Sequence, residues 1–152
     1  MEQQAQLVRQ LRLVRLFLFL RARLKMADKL VITIECDPKS GGEETADIIS
    51  KRLRIKIYDK KTLAAESDDD LSDKIIKTAA RESCIFLSCN ANTILTNHKN
   101  CIRVFINSSK STKKHPNSDL NNANNYDLCI NSAIIGTEGA VQVILEYLTA
   151  KS

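Results

Sequence analysis

The sequence predicts a single α/β domain in which a five-stranded, mostly parallel sheet carries helices on both faces. From residue 30 onward, five short apolar segments alternate with segments of helical periodicity. The first apolar segment is continuous, which is typical of a strand buried on both faces. At 152 residues, with 43% hydrophobic and 27% charged residues, the chain has the size and composition of one ordinary globular domain.

The first two strands enclose a helix. Residues 30–35 ("LVITIE") are apolar and rich in β-branched side chains, and residues 55–58 ("IKIY") form a second short segment of the same kind. Between them, apolar residues recur with the spacing of a helix: Ala46, Ile49 and Leu53. This order predicts a strand, a helix and a second strand.

Two short helices are predicted before the third strand. Residues 60–66 predict a helical turn, and the acidic residues 67–73 ("SDDDLSD") predict a solvated helix N-terminus, where carboxylates are favourable. The helix that follows should direct three apolar residues inward: Ile75, Ile76 and Ala79.

The second half of the domain continues the alternation. Residues 84–89 ("CIFLSC") and 101–106 ("CIRVFI") predict two buried strands, separated by a short helix near residues 91–95. Residues 107–125 are polar and rich in Asn, which predicts a loop or a disordered segment.

The chain closes with a strand and a helix. Residues 127–131 ("DLCIN") predict the fifth strand, and residues 136–150 predict the helix, with Thr137 as its N-cap. Its inward side is predicted to carry four apolar residues: Val141, Ile144, Leu145 and Leu148.

The net charge of +5 lies entirely in residues 1–29, a basic leader with seven basic and two acidic residues. Residues 30–152, the α/β domain, have sixteen of each and are neutral, so the domain shows no strong nucleic-acid signature. The leader has a helical pattern, and its apolar run of five residues is far shorter than the ~20 needed to span a membrane.

Three interpretations of the leader stay open. It is an organelle-targeting helix, or a helix that docks through residues 7–25 on a protein or an anionic surface, or a non-native extension before a start at Met26. The expected compartment is the cytoplasm, or an organelle if the leader is a native targeting helix. The five cysteines include no CxxC pair and are predicted to be mostly small buried side chains in a reducing compartment, although Cys36 and Cys89 fall near strand ends.

The turn after the first strand has the form of a phosphate-binding loop. Glycines let backbone N–H groups converge on an anion, and the next helix adds the positive end of its dipole. The predicted nucleotide-binding residues are Lys39, Ser40, Gly41, Gly42, Glu43, Glu44 and Thr45. Lys39 supplies one positive charge, but the two glutamates oppose a triphosphate at the same place.

Four sequence blocks, in this order, resemble the cytidylate kinase-like family of P-loop nucleoside monophosphate kinases. The first contains a match to the family's "GSGG" phosphate loop and to the "YDK" after its second strand. The blocks cover residues 31–63, 81–95, 100–106 and 125–148, and the last matches the family's "YDL-IN…G-EGAV". The resemblance implies a P-loop kinase fold, ATP and Mg²⁺ as cofactors, and a nucleotide substrate. It also marks Lys39 and Asp59 as catalytic candidates, and Asp59 could instead cap the next helix.

The chain departs from the family where the family places its cations. Glu43 stands at the position of a basic residue, and residues 88–90 (Ser-Cys-Asn) replace a "GRG". The monophosphate-binding insertion between Asp59 and Arg81 is reduced, and the Asn-rich residues 107–125 replace an arginine-bearing lid. Three lysines remain there as candidate phosphate contacts: Lys110, Lys113 and Lys114.

Phosphoryl transfer depends on positioning and on neutralising the charge of the transferred group. The sequence therefore predicts a degenerate kinase, or pseudokinase, that retains at most weak nucleotide or anion binding. Two alternatives stay open: an active minimal nucleoside monophosphate kinase that uses Lys39 and the lid lysines, and a non-catalytic interaction or assembly module.

Overall fold

The computed structural model describes residues 2–26, 29–66, 68–108 and 122–151, and for residues 16–26 it describes only the backbone. The strands are β1 (Val31–Cys36), β2 (Lys56–Tyr58), β3 (Cys84–Leu87), β4 (Cys101–Asn107) and β5 (Leu128–Asn131). The helices are α1 (Glu2–Met26), α2 (Gly42–Leu53), α3 (Lys60–Glu66), α4 (Leu71–Arg81), α5 (Ala91–Ile94) and α6 (Ser132–Lys151). A single 3-10 turn, Ala123–Asn125, precedes β5.

All five strands form one parallel sheet in the order β2-β3-β1-β4-β5, which confirms the predicted fold class. β1 lies at the centre, where Ile34 is in register with Leu87 of β3 and Val104 of β4. From β1 the chain passes to β2 and β3 on one side of the sheet, and then crosses to β4 and β5 on the other side. The direction of the connections therefore reverses at β1. In open parallel sheets, ligands bind beyond the carboxyl end of the strand where this reversal occurs.

Each face of the sheet has its own apolar core. On one face, Ile32 and Ile34 belong to a buried cluster with Ile49 of α2 and Ile144 of α6. On the other face, Phe86 belongs to a second cluster, packed with residues of α3, α4 and α5: Leu63, Ile75, Ala79 and Ala91. The prediction that β1 is buried on both faces is confirmed, and this burial explains why its sequence is continuously apolar.

Several local predictions need correction. Ile76 is 50% exposed, because the buried face of α4 follows Ile75 and Ala79, one turn apart, and Ile76 projects about 100° away from it. Cys129 is exposed, because its side chain lies on the opposite face of β5 from the buried Ile130, which packs in the cluster that contains α6. Residues 132–135 form an additional helical turn that the sequence did not predict, and Gly136, with φ 71° and ψ 179°, separates it from the rest of α6, which starts where the sequence predicted the last helix.

The leader forms α1, which contacts α6 and α2. Its boundary with the α/β domain at residue 29 stays a prediction. Within the described part of the chain, no helix combines the length and the apolar character needed to cross a membrane. The predicted lid contacts of Lys110, Lys113 and Lys114 lie outside the described residues, as do residues 109–121 in general.

Candidate anion-binding site

The turn between β1 and α2 lies at the carboxyl end of the central strand. Asp37 N donates to Ile106 O of β4 at 3.0 Å, and Ser40 N donates to Asp37 O at 3.2 Å. Gly41 then adopts the left-handed conformation, with φ 77°, and α2 begins at Gly42. The strand, turn and helix that the sequence predicted are therefore present, and the turn is fixed to the neighbouring strand.

The two glycines have separate steric reasons. A Cβ added to Gly42 would lie 2.4 Å from Cβ and 2.5 Å from Sγ of Cys36, so no larger residue fits there without a shift. A Cβ on Gly41 would lie 2.8 Å from Thr137 Oγ1, and the positive φ of Gly41 also favours glycine. The backbone can therefore approach β1 and α6 closely only because both side chains are absent.

The N-terminus of α2 presents backbone donors at this turn. The first helical hydrogen bond runs from Thr45 N to Gly41 O at 2.9 Å, so the N–H groups of residues 42–44 lack an acceptor within the helix. Thr45 Oγ1 donates to the same carbonyl at 2.8 Å, and this side chain is buried. Ser40 Oγ is buried as well and has no nitrogen or oxygen partner among the described residues. The turn can thus offer N–H donors and the helix dipole to one small anion.

A cleft of about 490 Å³ opens over the turn. Five of the seven predicted binding residues line it, whereas Ser40 and Thr45 lie buried beneath it. The full lining consists of Cys36, Asp37, Pro38, Lys39, Gly41, Gly42, Glu43, Glu44 and Ser88. The cleft therefore combines three carboxylates with one amine, so its side chains oppose an anion that the backbone would otherwise favour.

Asp37 is the lining residue with a charge that sequence reasoning missed. It follows β1 directly, and residues just after the carboxyl end of a central parallel strand reach the ligand-binding edge of the sheet. Its position directly after β1 could have identified Asp37 as a candidate from the sequence. Ser88 was also missed as a lining residue, although the resemblance had marked residues 88–90 as the place of a lost arginine.

No arginine among the described residues lines the cleft. Arg52 of α2 pairs with Glu138 at 3.2 Å, and Arg103 of β4 pairs with Asp127 at 3.5 Å, so both are engaged in other contacts. Lys39 is thus the single cationic side chain that the described residues bring to the cleft.

Asp59 makes the contacts of a helix cap. Its Oδ1 accepts a hydrogen bond from Thr62 N at 2.7 Å, and Thr62 Oγ1 accepts one from Asp59 N at 2.9 Å, at the start of α3. The Thr62 hydroxyl also donates to Asp59 Oδ1, and this hydrogen bond, together with the one from Thr62 N, lowers the pKa of the Asp59 carboxyl. Asp59 does not line the cleft, so these contacts agree with the capping alternative.

Three residues other than glycine adopt left-handed backbone conformations near the site. Lys39 has φ 68°, and Ser88 and Asn90 each have φ 55°. All three stand where the resemblance places glycines, in "GSGG" and in "GRG". Asn90 is held by a hydrogen bond from its backbone N to the buried Glu35 Oε1 at 2.7 Å. These three residues therefore keep the left-handed conformation that glycine adopts easily, and each has a conformational cost because it carries a Cβ.

The substitution Ser88→Gly is expected to raise the free energy of unfolding by about 1 kcal/mol, because a left-handed residue with a Cβ is strained. Chemical denaturation would measure it. Arg54→Gly serves as a positive control, since Arg54 has φ 56° at the end of α2, away from the cleft. Ser72→Gly, in the first turn of α4, should destabilise the protein instead. If Ser88→Gly and Ser72→Gly lowered the free energy of unfolding equally, the proposed backbone strain at Ser88 would be contradicted.

The cysteines of the described residues are all free thiols. Burial raises the pKa of Cys36, which lines the cleft, although hydroxyl groups of Ser88 and Ser40 partly oppose the shift. Burial likewise raises the pKa of Cys89 to about 12. Neither thiol has the lowered pKa of a nucleophile, so the geometry gives no support to a reactive cysteine.

The described residues contain no group of three or more His, Cys, Asp or Glu side chains arranged to hold a metal ion. The hydroxyl of Thr45 is engaged with the Gly41 carbonyl, and Glu44 Oε2 accepts from Thr137 Oγ1 at 3.5 Å. ATP and Mg²⁺ as cofactors stay a prediction from the resemblance.

No protein-family model matches the chain, and no curated protein matches its sequence. A crystal structure of an uncharacterized protein from Eubacterium ventriosum is similar, with a TM-score of 0.68, 21% identity, and coverage of 80% of this chain and 99% of that one. The APS kinase of Mycobacterium tuberculosis, solved as a cysteine-to-alanine mutant, has a TM-score of 0.54, 11% identity, and coverage of 80% and 98%. At these identities the similarity concerns the fold alone, and that fold is the P-loop kinase-like fold.

Proposed function

We propose that this chain is a cytidylate kinase-like protein that has lost effective phosphoryl transfer and retains at most weak binding of a nucleotide or another anion. The observation that carries the proposal is the charge of the cleft over the Gly41-Gly42 turn. Three carboxylates and one lysine line it, and no described arginine does. A transferred phosphoryl group needs several cations around its oxygens, and a single arginine can be worth 10³-fold or more in rate.

The residues present do not fit a magnesium-bound triphosphate. The N–H groups of residues 42–44 and the dipole of α2 suit one anionic group close to the turn. Glu43 and Glu44 project from the first turn of the same helix and line the cleft, where they would repel further phosphate groups. An anion of low charge is therefore the ligand that this turn would tolerate best.

One observation favours the alternative of an active minimal kinase. Lys39 lines the cleft, so it is placed to contact a phosphate. A lysine is a point charge, however, and it does not reproduce the bidentate geometry of arginine on phosphate oxygens. This alternative would require further cations, and its candidates are Lys110, Lys113 and Lys114, which lie outside the described residues.

A thermal-shift titration tests the proposal, with ATP, ADP and CMP each added at millimolar concentration with and without Mg²⁺. Weak binding stabilises the folded state only slightly, so we expect the melting temperature to rise by less than about 2 °C for every nucleotide. A rise of more than about 5 °C that Lys39→Ala removes would contradict the proposal, because it would reveal tight binding in this cleft. Lys51→Ala is the matched control, since Lys51 lies on α2 with its side chain 76% exposed and does not line the cleft.

A further inference from the structure

We propose that the first half of α1 is a docking surface for an anionic lipid membrane. The surface consists of three arginines and four apolar residues: Leu7, Val8, Arg9, Leu11, Arg12, Val14 and Arg15. This inference goes beyond the proposed function, since it concerns where the protein is held and not what the cleft binds.

The first observation is an uncovered apolar stripe. Leu7, Leu11 and Val14 recur at intervals of four and three residues and therefore share one side of the helix. They are 56%, 54% and 53% exposed, although α1 contacts α6 and α2. The body of the protein leaves this stripe open to solvent.

The second observation is the charge next to that stripe. Arg9, Arg12 and Arg15 are exposed, and none of them is in an ion pair with a residue that the structure describes. No acidic residue occurs between Glu2 and Asp28, and the remainder of the chain, from residue 30, is neutral. The whole positive excess of the protein thus belongs to the segment that also exposes leucine and valine.

An anionic membrane matches both properties at once. Around the helix, Arg15 lies about 40° and Arg12 about 100° from Leu11, so these arginines flank the stripe. A helix that lies in the headgroup region can therefore insert the stripe into the acyl boundary while the flanking guanidinium groups reach the lipid phosphates. A nucleic acid would use the arginines but leave the leucines in water. The helix continues through residues 16–20 ("LFLFL"), which are all apolar, but this run is too short to span a bilayer.

Vesicle co-sedimentation of the full chain tests the proposal, with phosphatidylcholine vesicles that contain or lack phosphatidylglycerol. We expect binding only to the anionic vesicles, weakening as salt is raised. The triple variant Arg9→Gln/Arg12→Gln/Arg15→Gln should partition about 100-fold more weakly, because each cationic side chain contributes about fivefold near an anionic surface. The variant Leu7→Ser/Leu11→Ser/Val14→Ser should lose roughly tenfold or more, at unchanged charge.

A charge-matched control separates specific docking from net charge. Lys56→Gln/Lys60→Gln/Lys61→Gln removes the same three charges from exposed positions of the body, and it should bind like the unaltered chain. If this control lost as much vesicle binding as the triple arginine variant, the proposal would be overturned. Absence of binding to anionic vesicles would overturn it as well. Binding to DNA or heparin that survives the leucine-to-serine variant, without vesicle binding, would also overturn it. So would a dimer, detected by sedimentation velocity, that the same variant dissolves while vesicle binding is absent. Circular dichroism and thermal unfolding would show that each variant stays folded.

Discussion

Mixed with ATP, Mg²⁺ and CMP, dCMP or UMP, the purified chain is expected to form ADP at less than about one-thousandth of ordinary kinase turnover, which is roughly 1–100 per second. The physical reason is the lack of charge neutralisation: Lys39 is opposed by Asp37, Glu43 and Glu44 in the cleft. The expected barrier increase is about 4 kcal/mol or more, because each tenfold loss in rate corresponds to about 1.4 kcal/mol.

A coupled assay for ADP measures this rate, and two variants interpret it. Residual ADP formation that Lys39→Ala leaves unchanged would come from another source, such as a contaminating kinase. Turnover at ordinary rates that Lys39→Ala abolishes and Lys51→Ala preserves would establish the active minimal kinase and refute the proposed loss of catalysis. Lys51 is a fair comparison, because it lies on the same helix outside the cleft.

The largest expected effect on stability comes from Gly42→Ala, which should lower the free energy of unfolding by about 3 kcal/mol. The new Cβ would lie 2.4 Å from Cβ and 2.5 Å from Sγ of Cys36. Cys36 belongs to the central strand, so its backbone cannot easily move away. A melting temperature lower by roughly 10 °C is expected.

A double-mutant cycle identifies the cause of that loss. In a Cys36→Gly background both clashing atoms are absent, so Gly42→Ala should cost less than about 1 kcal/mol. In a Cys36→Ala background the Cβ remains, and the large cost should remain with it. Gly136→Ala shows what a different cause costs, because Gly136 has φ 71° and ψ 179° with open space around its Cβ position, whereas Gly42 is a helical residue without a positive φ. If Gly42→Ala costs the same in the unaltered chain and in the Cys36→Gly background, the close approach of β1 and α2 is not as the structure shows.

The sequence could predict the sheet because its strands are continuous apolar runs between segments of helical periodicity. It could not place Ile76, because the difference between Ile75 and Ile76 is a rotation about the axis of α4, and only the packing of that helix on β3 decides it. The exposure of Cys129 depends on which face of β5 the helices cover, and this is a property of the packing and not of local sequence, since the neighbouring Ile130 is buried.

The sequence predicts those features of the site that come from neighbouring residues, but not those that depend on strand pairing or on side-chain conformation. Glu43 and Glu44 immediately follow the glycines, so their charge at the turn could be inferred directly. The position of Ser88 beside Cys36, with 3.8 Å between Oγ and Sγ, depends on the pairing of β1 with β3. The hydrogen bond from Thr45 Oγ1 to Gly41 O, which engages that hydroxyl, depends on a side-chain rotamer that no sequence pattern indicates.

Isothermal titration of Mg-ATP into the unaltered chain and into Glu43→Lys tests the electrostatic claim most directly. Reversing one carboxylate at the turn should strengthen binding at least about tenfold, because attraction replaces repulsion within a few ångströms of the phosphates. Glu66→Lys makes the same charge change at an exposed position on α3 outside the cleft, and it should bind like the unaltered chain. We predict no saturable binding below millimolar ATP for the unaltered protein and measurable binding for Glu43→Lys. Micromolar binding by the unaltered protein that Glu43→Lys fails to improve would contradict the account.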